Sequence, residues 1–268
     1  MKSFIRWPGN KFKCKDEIID EFPVRFNNYY EPCLGSGSIF FNLYNHKRVF
    51  NKAYLSDINP HLINCYISVR DEPERVKKIL VNMLEKNSED FYYSMRPLVS
   101  RPSVFLYLNR AGFSSLYRVN SKGEFNVPYR VDDFVVRRKK ISMDTSAIDQ
   151  CSEYLNKWAA SIIRTKWENA LTDVNAGDLV YLDPPYLPYK ENGFANYSED
   201  GFNENDHVYM NNICKALKNK GAHVFLSNSY TKKSIEIFGE PKKIIGVADL
   251  VNAYAVEKGK RLEGLWVY

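Results

Sequence analysis

Hydrophobic positions along the chain fall into two alternating patterns. Short apolar runs bounded by turn residues read as strands at Asn28 to Glu31, Ala53 to Ser56, Asp178 to Leu182, His223 to Ser227, Lys243 to Val247 and Gly264 to Tyr268. Helical spacing dominates from Leu62 to about Lys86, through Val76, Ile79, Leu80, Met83 and Leu84. Further helices are predicted at Ile39 to Tyr44, His207 to Lys218 and Lys232 to Phe238. Strands alternating with helices predict an α/β fold, a doubly wound Rossmann-like sheet. Residues 60–148 interrupt that alternation and are expected to form an inserted, mainly helical domain. The sheet domain is then built from 1–59 and 149–268.

With 268 residues, 44% of them hydrophobic, the chain can bury one sizeable core that carries an insertion. No apolar run approaches the roughly 20 residues of a membrane span, and the start lacks the apolar stretch of a secretory signal. A cytoplasmic protein, monomeric and without a membrane partner, is the expectation. Cys14, Cys33, Cys65, Cys151 and Cys214 are odd in number and far apart, which predicts buried free thiols rather than a zinc site or a disulfide framework. The net charge of +6 gains meaning from its distribution: between Arg101 and Lys140 nine basic residues face three acidic ones, an excess equal to that of the whole chain. Phe105, Tyr107, Phe113, Tyr117, Phe125, Tyr129 and Phe134 run through the same stretch. Basic side chains neutralise phosphates and aromatic faces stack on bases, so a nucleic acid suits this segment. A solvated basic face over an aromatic core is the competing reading.

Two motifs carry chemistry. Gly35-Ser36-Gly37 follows the first strand, and glycines there let the backbone turn sharply and approach a ligand closely. Asp57 ends the next strand, placed to accept hydrogen bonds from ribose hydroxyls. Phe40 stands where a dinucleotide site has its third glycine, which favours a cofactor without a pyrophosphate, such as S-adenosylmethionine, over a nicotinamide dinucleotide. The second motif, Asp183-Pro184-Pro185-Tyr186, stops an apolar strand abruptly. An exocyclic amine is a poor nucleophile because its lone pair is delocalised into the ring. A carboxylate and the Pro184 carbonyl can each accept one of its N–H bonds, two prolines stiffen the turn, and the Tyr186 ring can stack on an extruded base. The alternative is a strand-terminating turn with an incidental tyrosine.

These motifs stand in an order that resembles the Dam-type (class alpha, D12) DNA adenine-N6 methyltransferases over nearly the whole chain. The resemblance rests on Arg6-Trp7-Pro8-Gly9-Asn10-Lys11, Glu31 to Ser38, Ser56-Asp57-Ile58-Asn59, Phe105 to Arg110, Leu116-Tyr117-Arg118, Gly123 to Tyr129, Asp183 to Tyr186 and Leu226-Ser227-Asn228. It implies a methyltransferase that uses S-adenosylmethionine and acts on double-stranded DNA. The cofactor contacts would be Trp7, Lys11, Gly35, Gly37, Asp57 and Asp183, with Asp183, Pro184, Pro185 and Tyr186 catalytic. Phe113 falls where an aromatic is inserted beside the flipped adenine. Arg118 falls where guanine is read, and Leu116 and Pro128 where thymine is contacted, which implies GATC as the target. Arg6, Ser114, Asn126, Arg137 and Arg138 complete the DNA-facing positions.

The chain departs from the family pattern at its opening, where Arg6 replaces a lysine and Asn10 replaces the second glycine. It departs again at Arg130-Val131-Asp132-Asp133, and Asn252 to Arg261 matches loosely. Three alternatives share the amine chemistry: cytosine N4, adenine in RNA and a glutamine amide. A DNA-binding protein with an inactive site, and a nicotinamide oxidoreductase, belong to other classes. The proposed chemistry needs no metal, and His61, His207 and His223 are expected to be ordinary helix or strand residues.

Overall fold

The computed structural model describes residues 1–130, 144–188, 202–247 and 261–268. The chain divides into two compact units, one formed by Met1–Phe12, Gly35–Asn42 and Asp57–Arg164, the other by Lys13–Leu34, Leu43–Ser56 and Thr165–Tyr268.

The second unit is built on a sheet. Its strands are β1 (Asn28–Glu31), β2 (Lys52–Asp57, of which Asp57 is counted with the first unit), β4 (Leu179–Leu182), β5 (His223–Ser229), β6 (Lys243–Val247) and β7 (Arg261–Val267), in the order β2-β1-β4-β5-β7-β6. The pairs β1–β2, β1–β4 and β4–β5 are parallel, with Tyr29 opposite Ala53 and Leu179, and Val180 opposite Val224. Strand β7 runs antiparallel to both β5 and β6. Successive side chains of a strand point to opposite faces, and here both faces are covered. On one face Val180, Leu182, Val224 and Leu226 meet Met210, Cys214 and Leu217 of α7 (Glu204–Asn219), Phe238 of α8 (Lys232–Phe238) and Trp266. On the other, Phe22 packs on Tyr181 and Phe225, with ring centroids 5.9 and 4.5 Å apart, beyond α1 (Lys15–Ile19). This is the α/β architecture expected from the alternation of apolar runs.

The first unit is mainly helical: α2 (Pro60–Asp71), α3 (Pro73–Glu85), α4 (Glu89–Met95), α5 (Pro102–Ala111) and α6 (Ser146–Lys157), followed by the short strand β3 (Ser161–Arg164). Helix α2 packs on α5 and α6, and α3 on α5, and Leu62, Tyr66, Val69, Leu80, Phe105, Leu108, Cys151 and Leu155 of these helices are buried.

Two sequence expectations are corrected. The helical stretch from Leu62 to about Lys86 is divided into two helices, because Pro73 forces Glu72 out of the helical region, to φ −134 and ψ 51. The helix expected at Ile39 to Tyr44 is only a 3-10 turn over Phe40–Asn42. Phe40, Phe41 and Asn42 are all buried, so the segment has no polar face to offer water. Asn42 also bonds the Ser38 carbonyl and both backbone groups of Met1. Strand β3 was not anticipated: four residues with one buried position carry no periodic signal.

Candidate active site

In the first unit, Gly35 and Gly37 take the left-handed conformation, at φ +48 and +63. The Gly35 amide donates to Asp57 Oδ2 at 3.0 Å, and the Tyr66 hydroxyl donates to the Gly35 carbonyl at 3.0 Å. A side chain has no room at either glycine. A Cβ at Gly35 would lie 2.9 Å from Trp7 Cδ1, and one at Gly37 would lie 2.9 Å from the Tyr66 hydroxyl. Asp57 Oδ1 accepts the Asn59 amide at 3.0 Å. Burial pushes the Asp57 carboxyl above its ordinary value, opposed by the amides of Asn59, Gly35 and Ile58. Trp7 stacks on Tyr117 at 5.7 Å, and the buried Lys11 donates to the Gly9 carbonyl at 2.7 Å. The structure thus brings Trp7, Gly35, Gly37 and Asp57 into one arrangement.

In the second unit, the buried strand β4 delivers Asp183 and then the buried Pro184. The three residues after Pro184 are each held. His207 Nε2 lies 3.1 Å from the Pro185 carbonyl. The Tyr186 hydroxyl donates to Glu263 Oε2 at 2.9 Å. The Leu187 amide donates to Asn228 Oδ1 at 3.1 Å, and Ser229 Oγ donates to the Leu187 carbonyl at 2.8 Å. Burial, then the charges of Asp183 and Glu263, hold the Tyr186 hydroxyl far above its ordinary value, so it remains a donor. Burial also draws the His207 imidazole below its ordinary value, against the carbonyls of Asn203 and Pro185.

Within the first unit, a short hairpin follows α5. Val119 bridges Phe125, Gly112 bridges Tyr129, and the Phe113 amide donates to the Pro128 carbonyl at 3.0 Å. Tyr92 and Arg96 anchor it through the carbonyls of Val127 and Phe125. Phe113, Ser114, Arg118 and Pro128 are exposed on it, with Leu116 and Asn126 partly buried. Ser114 and Ser115 sit at φ 50 and 54, an unusual conformation for two successive residues with side chains. Arg118 donates through Nε to Asn126 Oδ1 at 2.7 Å and through Nη2 to the Asn126 carbonyl at 3.2 Å. Arg137 and Arg138 lie outside the described residues, as do Val131 to Asp133 and nearly all of the Asn252 to Arg261 segment.

Residues 7–253 match the model of the D12 class N6 adenine-specific DNA methyltransferases. The chain belongs to this family. It is 35% identical to the type II methyltransferase M1.LlaDCHI of Lactococcus lactis subsp. cremoris, over 89% of this chain and 84% of that one. It is 30% identical to the type II methyltransferase M.MjaIII of Methanocaldococcus jannaschii, over 99% and 97%. It is also 30% identical to the DNA adenine methylase of Haemophilus influenzae, over 90% and 84%.

For a member of this family, the departure at Asn10 has a simple structural account. Asn10 is not among the left-handed residues, so no glycine is demanded there, and its side chain closes the turn by donating to the Trp7 carbonyl at 3.2 Å. Arg6 is anchored through its backbone, which exchanges hydrogen bonds of 3.2 and 2.8 Å with Asn109. Sequence reasoning missed Tyr66, His207, Glu263 and Ser229. His207 was expected to be an ordinary helix residue, and nothing in its spacing relates it to Pro185. Among the described residues no group of three or more His, Cys, Asp or Glu could hold a metal ion, and no helix is long and apolar enough to cross a membrane.

Proposed function

We propose that this DNA adenine methyltransferase transfers a methyl group from S-adenosylmethionine to N6 of an adenine flipped out of duplex DNA, within GATC. The observation that carries the reading is Asp183 at the end of a buried strand, followed by a turn whose next three residues are each held by a hydrogen bond. Asp183 and the Pro184 carbonyl each accept one N–H of the amine, which returns the lone pair to nitrogen. The Tyr186 ring lies against the base. When bound, S-adenosylmethionine supplies an electrophilic methyl group.

The glycine turn suits that cofactor because its backbone is bare where a Cβ would strike Trp7 or Tyr66. The Asp57 carboxylate accepts the amides of Gly35 and Asn59, with that of Ile58 close by, and still has acceptor capacity for a ribose hydroxyl. Trp7 and Lys11 complete that side. Residues 60–148 act as the DNA-recognition insertion on a catalytic domain of 1–59 and 149–268. Phe113 fills the space left by the adenine, and Leu116 and Pro128 meet the thymine methyl. Arg118, braced by Asn126 through Nε and one Nη2 hydrogen, keeps its outer N–H groups for guanine O6 and N7. Arg6, Ser114, Asn126, Arg137 and Arg138 contact the DNA, and the protein works as a cytoplasmic monomer.

Expression in a host without DNA methylation, followed by modification-sensitive sequencing, tests the reading. N6-methyladenine confined to GATC is expected. Modified cytosine would overturn the adenine assignment, and methyladenine in another context would overturn GATC alone.

A further inference from the structure

The turn after Asp183 has few soft torsions. Ring closure locks φ at Pro184 and Pro185, so rotation about ψ of each proline and φ of Tyr186 decides where the turn points. The contact of His207 Nε2 with the Pro185 carbonyl, 3.1 Å, restrains the plane of the peptide that joins Pro185 to Tyr186. Glu263 holds the far end of Tyr186, and Asn228 and Ser229 hold both backbone groups of Leu187. Of these contacts, that of His207 is the nearest along the chain to the Pro184 carbonyl.

The histidine is itself fixed. It is 1% exposed in the first turn of α7, with its ring edge-on to Phe202 at 4.7 Å and near Phe238 at 6.1 Å. Nδ1 lies 2.8 Å from the Asn203 carbonyl, which already accepts the backbone amide of His207 at 3.3 Å. Both ring nitrogens face carbonyl oxygens, so a neutral ring donates to only one of them. With its proton on Nε2 it serves Pro185 and sets the Nδ1 lone pair against the Asn203 carbonyl, which keeps the backbone amide. With its proton on Nδ1 it gives Pro185 no donor. A histidine present only to fill space would need neither contact.

We propose that His207 is a positioning residue for methyl transfer, its Nε2–H setting the Pro185 peptide and with it the Pro184–Tyr186 turn that receives the amine and the base. The inference rests on the roles given above to Asp183, Pro184 and Tyr186. His207→Gln keeps a donor in place of Nε2. His207→Asn keeps one only in place of Nδ1, and His207→Phe keeps the ring alone.

The measurements are kcat at saturating cofactor and DNA, affinity for each by calorimetry, and melting temperature. His207→Gln is expected to hold kcat within about threefold of wild type, while His207→Asn and His207→Phe lose about tenfold, the scale of one hydrogen bond, with both affinities unchanged. Wild-type kcat in His207→Asn and His207→Phe overturns the proposal. So does a loss in His207→Gln equal to that in His207→Asn at unchanged melting temperature. If the two disruptive variants do not fold, nitrogen chemical shifts of His207 in the wild-type protein decide. A proton on Nε2 supports the role and a proton on Nδ1 alone removes it. Asp183→Ala separates the layers of the inference: methyl transfer by that variant defeats the reading of the site, whereas an inert Asp183→Ala beside a flat histidine series defeats only His207.

Discussion

Asp57 and Asp183 are both carboxylates at the ends of strands, yet their surroundings ask different things of them. Asp57 already accepts the amides of Gly35 and Asn59, so it is oriented before any ligand arrives. Asp57→Ala should weaken S-adenosylmethionine binding by about 1.5–3 kcal/mol, the scale of a hydrogen bond to a charged group. Calorimetry measures this, and unchanged affinity would mean that the ribose is held elsewhere. Asp183→Ala should abolish methyl transfer because the amine loses the acceptor that redirects its lone pair. Binding of DNA by the same variant, followed by gel shift, should survive. Gly35→Ala tests the turn. It imposes a left-handed backbone on a residue with a side chain, which costs about 1–2 kcal/mol, and it sets the new Cβ 2.9 Å from Trp7. A lower urea midpoint together with weaker cofactor binding is expected, and wild-type values for both would show that the turn tolerates a side chain.

At the scale of elements, the hairpin after α5 collects Phe113, Arg118, Asn126 and Pro128, which are dispersed in sequence. Its backbone is tied to Tyr92 of α4 and to Arg96 just after it, so the side chains proposed to read bases stand on a held frame rather than a loose loop. Arg118→Ala should cost about 1–3 kcal/mol on the preferred site and relax discrimination at one base pair. Replacing Lys139 or Lys140 should instead weaken binding to every sequence alike and lower the salt slope by about one per lost phosphate contact. Both kinds of variant remove one positive charge from the same basic stretch of the chain, so charge alone cannot produce a difference. Competition binding on GATC duplexes and on duplexes changed at the guanine measures it. Uniform loss in Arg118→Ala would make Arg118 a phosphate contact and remove the main support for GATC.

For the molecule as a whole, His61 and His207 contribute a pH dependence. Burial holds the imidazoles of His61 and His207 below their ordinary value, so both take up a proton less readily in the native state than in the unfolded chain, which does so near pH 6.5. At these two sites the unfolded state binds more protons, so their contribution to stability is present above about pH 6.5 and is lost as pH falls below it, opposed by Asp57, whose raised carboxyl acts in the other direction. Urea unfolding of the wild type and of His207→Gln at pH 7.5 and 5.5 isolates the histidine contribution, and the variant should lose less stability at pH 5.5. An equal loss in the variant would mean that His207 titrates alike in both states.

What the sequence determined by itself is local or periodic. The alternation of strands and helices, the glycine turn at Gly35 to Gly37 and the proline-stiffened turn at Asp183 each depend on residues close in the chain, where backbone sterics and side-chain period act directly. Tertiary structure decided the rest. Pairing of β5 with β7 brings Glu263 opposite Ser229 and within reach of Tyr186, and packing of α7 carries His207 to Pro185, 22 residues away in the chain. No spacing rule encodes those meetings, because they follow from strand register and from the close packing of helix on sheet, which the whole chain settles together.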